Sequence, residues 1–431
     1  MIYAQIFEDI VTDPTKRAEY ALSTLQIWYN AGTGVWDTAG WWNTANIMTM
    51  IGNMAKANPQ DVQLHDLTTR IFSNTLIKAP SKNPQPGIEQ ELRKQMRTGN
   101  MTFTQVNATG LQSGYTKDLN PLNHEPYTSY PYDWYERGPY VDITDISTSK
   151  TEDRDGSQKF LETSPNPEDW LDGFYDDDLW WALAWINAFD ITGNTGYLTL
   201  AEGIFAAVSK TWPTRCFNGG VFWSWEKEYM NAITNELFMS TAAHLANRVS
   251  TVRKVEYVDW AKRTLAWFLK SGMINNQGTI NDGLTEDCQN NQLPTWSYNQ
   301  GVILGALVEL NSAAPDQSYL SLAAHIAKAA LSKLSDDNGI IHDPCEPDCG
   351  GDGSQFKGIF MRNLQALHIA APDAVYIEAA SRNAESIWKN DRGEDMGVVF
   401  GVNWAGPYRG PANASMQSSA MDALVAGIVL H

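Results

Sequence analysis

The chain has 431 residues, of which 43% are hydrophobic, and this is enough material for a large packed core. Its formal net charge of −19 disfavours a nucleic-acid partner and an anionic membrane surface, because binding phosphates requires a basic protein surface. The 17 tryptophans and 17 tyrosines suit both a protein core and the flat face of a sugar ring. A neutral or cationic substrate therefore fits the composition best.

The apolar periodicity is helical along most of the chain, with little of the alternation that strands show. Signals such as Asp13-Pro14 mark helix starts. The pattern predicts twelve helices, at 14–30, 41–58, 60–78, 176–191, 196–210, 226–248, 253–271, 296–313, 317–334, 357–370, 372–391 and 414–430. Segment 301–310 is apolar on nearly all sides, whereas 253–271 carries one polar face. An inner and an outer ring of helices accounts for both kinds.

No Pro/Ser-rich linker divides these helices, so we predict a single domain over residues 1–431. The exception to the helical pattern is the polar, tyrosine-rich stretch of about 80–172. A connection of this length inside a compact domain is usually functional or disordered. Its aromatic content favours an ordered lid or a wall of a groove.

Cysteines and glycosylation signals favour an extracellular protein. We predict two disulfides, with the pairing left open, from the four cysteines Cys216, Cys288, Cys345 and Cys349. Three tripeptides match the acceptor for N-linked sugars, at Asn100, Asn107 and Asn413. The histidines lack the spacing of metal ligands, and no stretch is long and apolar enough to span a membrane. We expect a secreted or cell-wall-associated glycoprotein that is monomeric and needs no metal or cofactor.

The most informative segment is Gly-Phe-Tyr-Asp-Asp-Asp-Leu-Trp-Trp-Ala-Leu-Ala-Trp at 173–185. Aspartates are common at helix starts, where they accept backbone hydrogen bonds and face the positive end of the helix dipole. That explanation suffices for Asp176 but is strained by Asp177 and Asp178 beside three tryptophans. Carboxylates next to large apolar rings are also what a protein needs to hold a sugar and break its glycosidic bond.

Other segments repeat the combination of aromatic rings with amides or acids. Trp41 and Trp42 open one predicted helix, where core packing and a sugar platform are both reasonable roles. Asn231 and Asn235 follow Lys227 at spacings of four, which predicts that they share one helix face. Such amides either bracket sugar hydroxyls or cap neighbouring loops.

Two further candidates come from the second half of the chain. Asp282 belongs to an Asp-Gly dipeptide that is common in turns, which is its structural alternative. Tyr298 lies at the start of the most apolar helix, where polar groups need partners from loops or from a ligand.

These blocks together resemble glycoside hydrolase family 76. The resemblance rests on Tyr-Asp-Asp-x-x-Trp-x-Ala-Leu-Ala-Trp, Gly-Gly-Val-x-Trp followed by Lys-x-x-x-Asn-Ala-x-x-Asn, and Ser-Tyr-Asn-Gln-Gly-Val-x-x-Gly-Ala-Leu. The segments Gln355-Phe-Lys-Gly-Ile-Phe-Met-Arg362 and Phe400-Gly-Val-Asn-Trp404 also match. The blocks run in the family's order from about residue 36 to the end of the chain, and only the insertion 80–172 departs from the pattern.

The resemblance implies an all-α (α/α)6 toroid and a retaining hydrolase of α-1,6-linked mannan or manno-oligosaccharides that acts within the chain. By motif, Asp176 is the nucleophile and Asp177 the general acid/base. The matching substrate-groove positions are Asp282, Asn231, Asn235 and Tyr298, to which we add Trp180 and Trp41 as aromatic candidates. If the insertion closes one end of the groove, action would shift from internal bonds toward chain ends or branched substrates.

The spacing of the two acids agrees with a retaining mechanism, whose carboxyl groups lie about 5–5.5 Å apart. Neighbouring Cα atoms are about 3.8 Å apart, so adjacent residues can meet this distance. Two carboxylates this close do not both ionise freely, so one keeps its proton at higher pH and serves as the acid.

Two alternatives remain open at this point. A transglycosidase that moves mannose-containing glycolipid anchors onto wall glucan would use the same aspartates. A sugar-binding protein without activity would keep the aromatic groove, and binding without cleavage would identify it.

Overall fold

The computed structural model of the chain describes residues 13–85, 165–393 and 397–430. These ranges contain twelve α-helices: α1 Pro14–Leu25, α2 Trp41–Ala57, α3 Val62–Lys78, α4 Tyr175–Thr192, α5 Thr195–Ser209, α6 Ala232–Ala246, α7 Thr251–Ser271, α8 Ser297–Ala313, α9 Gln317–Leu334, α10 Phe356–Ala370, α11 Ala374–Asn390 and α12 Ala414–Val429. Four 3-10 helices add single turns at Gln26–Trp28, Ala79–Lys82, Pro167–Trp170 and Gly353–Gln355. Two antiparallel pairs of two-residue strands complete the secondary structure: β1 Tyr29–Asn30 with β2 Val35–Trp36, and β3 Arg392–Gly393 with β4 Val399–Phe400.

Every second helix belongs to a closed inner ring. Helices α2, α4, α6, α8, α10 and α12 each pack against the next, and α12 returns to α2. The remaining helices lie outside this ring, against one or two inner helices. The all-α (α/α)6 toroid and the two kinds of helix predicted from the sequence are confirmed.

Glycines bring the inner helices close together. A Cβ built on Gly301 of α8 would lie 2.6 Å from the Cα of Phe360 in α10. One built on Gly358 of α10 would lie 2.6 Å from the Cα of Ser419 in α12. Real Cβ atoms do not approach other atoms so closely, so a larger side chain at either glycine would push two inner helices apart.

The two ends of the toroid differ in their connections. Each inner helix before α12 reaches the next outer helix through a short link, such as Gly193–Asn194 between α4 and α5. The links from outer to inner helices are long, at 26–40, 79–174, 210–231, 272–296, 335–355 and 391–413. The amino ends of all inner helices therefore share one end of the toroid with the long loops, where functional side chains are usually found.

Two predicted helix boundaries were wrong. The helix expected at 14–30 ends at Leu25, because the chain turns through a 3-10 helix into the β1–β2 hairpin. The helix expected at 226–248 begins only at Ala232, because Asn231 caps it with extended backbone. Within the described residues, no helix is both long enough and apolar enough to cross a bilayer.

Most of the predicted insertion 80–172 lies outside the described residues, as do Asn100 and Asn107. The two ends of the insertion lie side by side. The Asn83 side chain amide donates to the carbonyl oxygens of Asp169 at 3.0 Å and Leu171 at 2.9 Å. Asn83 therefore fixes the point at which the chain re-enters the toroid.

Both predicted disulfides are present. Cys216 pairs with Cys288 and joins the loop before α6 to the loop before α8. Cys345 pairs with Cys349 inside the loop before α10. Both lie in the long loops at one end of the toroid, where they restrain the conformations of these loops.

Candidate active site

The aspartate run occupies the first turn of α4, but none of the three aspartates is the cap residue. Phe174 holds that position, with no hydrogen bond from its side chain. The preceding backbone is fixed from the neighbouring loop, since the Tyr175 N–H donates to the Trp223 carbonyl at 2.8 Å. Helix capping therefore does not account for Asp176 and Asp177.

Asp178 has a structural role. It is 2% exposed, and its Oδ1 accepts a hydrogen bond from the backbone N–H of Asp172 at 3.0 Å. Asp172 in turn accepts from the Phe174 N–H at 2.9 Å. These contacts tie the loop before α4 to the first turn of the helix.

Asp176 is partly exposed and points toward the loop before α6. The indole N–H of Trp223 donates to its Oδ2 at 3.0 Å. Its Oδ1 is shielded from solvent and has no hydrogen-bond partner among the described residues. Burial, followed by the charge of Asp172, raises the pKa of Asp176 to about 7. A carboxylate with one oxygen held and the other unpartnered is suited to attack an electrophile.

Asp177 is more deeply enclosed, at 4% exposure. Its carboxyl group hydrogen-bonds with that of Asp172. Burial, followed by the charges of Asp172 and Asp176, raises the pKa of Asp177 well above its usual range. The surroundings of Asp177 therefore favour its protonated form.

A cavity of about 370 Å³ opens beside Asp177. It lies between α4 and the loop before α2, and its walls combine rings with polar groups: Thr33, Val35, Trp36, Asp37, Ala39, Gly40, Trp41, Thr44, Lys82, Pro84, Gln85, Asp172, Phe174 and Asp177. Its volume falls within the range of about 300 to 1,000 Å³ that is common for small-molecule sites.

On the other side of the aspartates, aromatic and acidic side chains form a continuous wall. Trp223 meets Tyr229 edge to face at 6.3 Å between ring centroids. The Tyr229 hydroxyl donates to Asp282, and the Trp296 indole also hydrogen-bonds to Asp282. Asn291 donates to the same hydroxyl at 2.9 Å. The predicted site residue Asp282 thus reaches the aspartate pair through this wall.

The wall continues across α8 and α10. The partly exposed Tyr298 stacks on Phe356, with ring centroids 3.8 Å apart. Phe356 also stacks on Trp42 at 6.2 Å, and the Trp42 indole donates to Asp352 at 2.9 Å. Burial, together with Asp282, Asp176 and other nearby acids, raises the pKa of Tyr298. Tyr298 therefore lies close to Asp176 and Asp282, on the same side of the site.

The three polar residues predicted to share a helix face do not do so. Lys227 is exposed and lies before α6, with a left-handed backbone at φ 59°. Asn231 caps α6 by accepting from the Thr234 N–H at 3.3 Å, and its backbone pairs with Gly283 next to Asp282. Asn231 therefore lies beside the loop that carries Asp282, although its side-chain oxygen is used to cap α6.

Asn235 is fully buried and fully engaged. Its amide donates to the carbonyls of Val221 at 3.0 Å and Asn231 at 2.9 Å, and its oxygen accepts from the Val221 N–H at 2.8 Å. Both amide protons are used within the protein and the side chain is 0% exposed, so it does not face a sugar. The structure thus corrects the prediction of direct substrate contact and makes Asn235 a support for the loop that carries Trp223.

The two tryptophans predicted as sugar platforms also belong to the core. Trp180 is 3% exposed, stacked on Trp42 and lying 5.6 Å from the Arg362 guanidinium. Trp41 is 8% exposed and packs against Trp170 and Trp181, with only an edge at the cavity beside Asp177. Their faces are covered by other rings, so neither offers an open stacking surface.

The sequence interpretation missed several groups at this site: Asp172, Trp223, Tyr229, Trp296, Asp352 and Phe356. Two of them carried a usable signal. Trp223 lies in the Gly-Gly-Val-x-Trp motif, and Asp352 follows Cys349 after two glycines. The others become visible only when the loops converge.

We expect the buried carboxyl groups to make the fold more stable in mild acid. Burial raises the pKa of five aspartates to about 6 to 8: Asp172, Asp176, Asp343, Asp391 and Asp422. Between about pH 4 and these values the folded state binds more protons than the unfolded state, so the free energy of unfolding falls as pH rises. Urea unfolding should give a lower free energy at pH 8 than at pH 5.

Carboxyl groups with a lowered pKa have the opposite effect on the free energy of unfolding, but only at lower pH. The hydrogen bonds and charge of Arg248 outweigh burial and lower the pKa of Asp190. The stability that Asp190 contributes is therefore lost as pH falls below about 4.

An Asp391→Asn variant tests the groups with a raised pKa, and it should show a weaker loss of stability between pH 5 and pH 8. Stability that stays constant or rises over that interval would contradict the assignment.

Comparison with known proteins agrees with this architecture. The sequence model of glycosyl hydrolase family 76 matches residues 100–431. The mannan endo-1,6-alpha-mannosidase DCW1 of Candida albicans is 24% identical over 315 residues, which cover 64% of this chain and 68% of that protein. The mannan endo-1,6-alpha-mannosidase DFG5 of Saccharomyces cerevisiae is 25% identical over 227 residues, and the match spans only 49% of each protein.

Solved structures share the fold. One is an inactive variant of the α-1,6-mannanase GH76A of Salegentibacter sp. HEL1_6 in complex with α-1,6-mannotriose, with a TM-score of 0.67 and 17% identity over 97% of this chain and all of that one. The family match covers more than half of the chain, in the order of motifs noted in the sequence. The chain therefore belongs to glycosyl hydrolase family 76.

Proposed function

We propose that the protein is a retaining glycoside hydrolase that cleaves α-1,6-mannosidic bonds within mannan. The observation that carries the proposal is the unequal environment of two neighbouring acids. Trp223 holds one oxygen of Asp176, whereas Asp177 is nearly buried against another carboxyl group. Asp176 ionises first and Asp177 keeps its proton, which is the division of roles that a retaining mechanism requires.

In the first step, the Asp176 carboxylate attacks the anomeric carbon of the mannosyl unit. The bond from that carbon to the glycosidic oxygen breaks, and Asp177 gives its proton to this oxygen, which leaves as the 6-hydroxyl of the departing sugar. The product is an ester between the mannosyl unit and Asp176. The Trp223 N–H stays on the other oxygen and orients the carboxylate.

In the second step, the ionised Asp177 takes a proton from water as the water oxygen attacks the anomeric carbon. Asp176 leaves as a carboxylate, and two inversions leave the anomeric configuration unchanged. Each residue returns to its starting protonation state, so no further reactant is required.

The geometry suggests how the chain would lie. Asp177 faces the cavity toward α2, and Asp176 faces the wall of Trp223, Tyr229 and Asp282. Because the acid protonates the leaving oxygen, the departing sugar would enter the cavity beside Asp177. The attacked sugar would then lie against the aromatic wall.

The choice of substrate is supported by relatives. The DCW1 and DFG5 proteins are named as mannan endo-1,6-alpha-mannosidases. In the Salegentibacter α-1,6-mannanase, a variant with two consecutive aspartates replaced by asparagine is inactive and was solved with α-1,6-mannotriose. A neutral polymer also suits a chain with a net charge of −19.

Sizing the products from linear α-1,6-mannan tests this function. We expect a mixture of short oligosaccharides early in the reaction, with one new reducing end for each bond cleaved. Release of mannose alone would show action at chain ends instead. An intact polymer after prolonged incubation across pH 4 to pH 9 would contradict hydrolysis.

Transglycosylation is the second candidate, because the cavity beside Asp177 would hold a sugar hydroxyl as readily as water. The same incubation with an added acceptor oligosaccharide separates the two reactions. New linkages without a matching rise in reducing ends indicate transfer. Binding of mannan with neither product would indicate an inactive sugar-binding protein.

We also propose an extracellular or cell-wall location. Two disulfides are typical of proteins from oxidising compartments. The predicted glycosylation signal at Asn413 lies at the start of α12, where the Asn413 oxygen accepts from the Met416 N–H at 2.8 Å. Mass spectrometry of the natural protein would detect glycans at the three predicted asparagines.

A further inference from the structure

A further carboxyl group, that of Asp172, lies at the site but takes no part in the two-residue mechanism. It is 1% exposed and lies in the loop before α4. Its Oδ1 accepts from the Phe174 N–H at 2.9 Å, and its own backbone N–H donates to Asp178 at 3.0 Å. These two bonds fix both its side chain and its backbone against the turn that carries the catalytic pair.

The same carboxyl group hydrogen-bonds with Asp177. An ionised carboxylate can only accept a hydrogen bond, so a bond between two carboxyl groups requires that one of them carries a proton. Both groups line the cavity beside α2. The pair therefore holds one proton at the place where a leaving oxygen would need it.

We propose that Asp172 is a positioning residue that keeps Asp177 protonated and holds its carboxyl group in place beside the leaving sugar. This inference rests on the proposed function, since it names the group that prepares the general acid. Asp172 itself neither attacks the sugar nor transfers a proton to it. During the first step the proton passes from Asp177 to the leaving oxygen, and the lost hydrogen bond leaves Asp177 free to accept a proton from water.

The other groups that face Asp177 are mostly acidic. Asp176 and Asp178 act from its own helix, and Asp352 acts from the loop before α10. After burial, Asp172 makes the largest contribution to raising the pKa of Asp177. Removing the charge of Asp172 should therefore lower the pKa of Asp177 more than removing the charge of Asp178 does.

Two further charged residues line the cavity, namely Asp37 and Lys82. Asp37 accepts from the Asn30 side chain at 3.0 Å, which directs it to the β1–β2 hairpin. Both are left unchanged in the variants below. Their effect on the pKa of Asp177 is therefore the same in both variants and cancels when the two are compared.

The test is the pH dependence of kcat/KM for α-1,6-mannan in Asp172→Asn. Asparagine still accepts from the Phe174 N–H, and its amide would donate to an ionised Asp177. Both the lost charge and the new donor lower the pKa of Asp177, so its proton is lost at lower pH. We expect the basic limb of the profile to move down by about one pH unit or more, with little change in KM.

Asp178→Asn is the matched control, because it lies one residue beyond Asp177 and keeps its acceptor for the Asp172 N–H. We expect its basic limb to move less than that of Asp172→Asn. If Asp172 had only a structural role, Asp172→Asn would lower kcat at every pH without moving the basic limb of the profile. That result would overturn the proposal. If Asp172→Asn does not fold, Asp172→Ser retains an acceptor for the Phe174 N–H without the charge.

Carboxyl-carbon NMR of protein labelled at aspartate provides a second reading that needs no turnover. The pKa of Asp177 should be lower in Asp172→Asn than in the parent chain. This measurement separates the two proposals, because a chain that cleaves no mannan still reports on the shared proton. An Asp177 pKa that does not move would contradict the role of Asp172.

Discussion

Replacing Asp176 with asparagine is expected to lower kcat/KM for α-1,6-mannan by roughly a thousandfold or more. An amide of the same shape still accepts the Trp223 hydrogen bond but does not attack the anomeric carbon. The fold should survive, because the change removes a carboxyl group whose ionisation is already disfavoured by burial. Initial rates of reducing-end release, together with the melting temperature, measure both effects.

Asp177→Asn should lose a similar amount of activity on mannan, since no other group supplies the proton to a poor leaving group. With an aryl α-mannoside whose leaving group needs little protonation, the loss should be much smaller in the first step. Asp178→Asn is the control, as its side chain bonds to the backbone of the preceding loop. Near-normal mannan cleavage by either Asp176→Asn or Asp177→Asn would remove the site assignment.

Replacing Lys357 with methionine is expected to reduce the free energy of unfolding by about 3 to 5 kcal/mol. Lys357 is 1% exposed, and its ammonium donates to the Val402 carbonyl at 2.6 Å and contacts Glu346 at 2.6 Å. Burial alone would raise the pKa of Glu346, but His342 and Lys357 lower it overall. Methionine fills similar space but leaves the Val402 carbonyl without its donor and removes the only cation that contacts Glu346 besides His342 among the described residues.

The same substitution at Lys389 is the matched control, because that lysine is exposed and pairs with Glu385 on the surface of α11. We expect the Lys389→Met change to be within about 0.5 kcal/mol. Urea unfolding at pH 7 measures both variants. Equal effects of the two substitutions would show that the buried ion pair does not stabilise the loop before α10.

The fold could be predicted because the hydrophobic pattern of each helix is set by residues close together in the sequence. A helix buried on most sides, such as α8, is apolar all round, and an outer helix such as α7 keeps a polar face. Twelve such helices without a linker leave few other arrangements. The order of the motifs then indicated an (α/α)6 toroid, and the closed ring of inner helices confirms this fold.

The boundary before α6 could not be read from the same signal. Residues 226–231 continue the helical spacing of Asn231 and Asn235, but the backbone there is not helical: Lys227 is left-handed and Asn231 is extended. The loop pairs with Asp282 and Gly283 across the groove, and these long-range hydrogen bonds override the local pattern. For the same reason, sequence spacing gave Asn235 a substrate role that its hydrogen bonds to Val221 exclude.

The candidate acids were visible in the sequence, whereas their surroundings were not. Three aspartates in a row identify the place, but Trp223 and Asp352 come from loops 47 and 176 residues beyond Asp176 along the chain. Spacing along one helix cannot show which acid a distant indole holds. The tryptophans nearest in sequence, including Trp180, instead fill the core behind the site.

Trapping the glycosyl-enzyme shows directly which aspartate attacks the sugar. The protein would be quenched after reaction with a fluorinated α-mannosyl fluoride that forms the covalent intermediate faster than the intermediate is hydrolysed. The peptide containing residues 173–185 would then be fragmented by mass spectrometry. We expect one mannosyl adduct on Asp176, absent from Asp176→Asn. An adduct on Asp177 or elsewhere, or a first product of inverted anomeric configuration, would contradict this expectation.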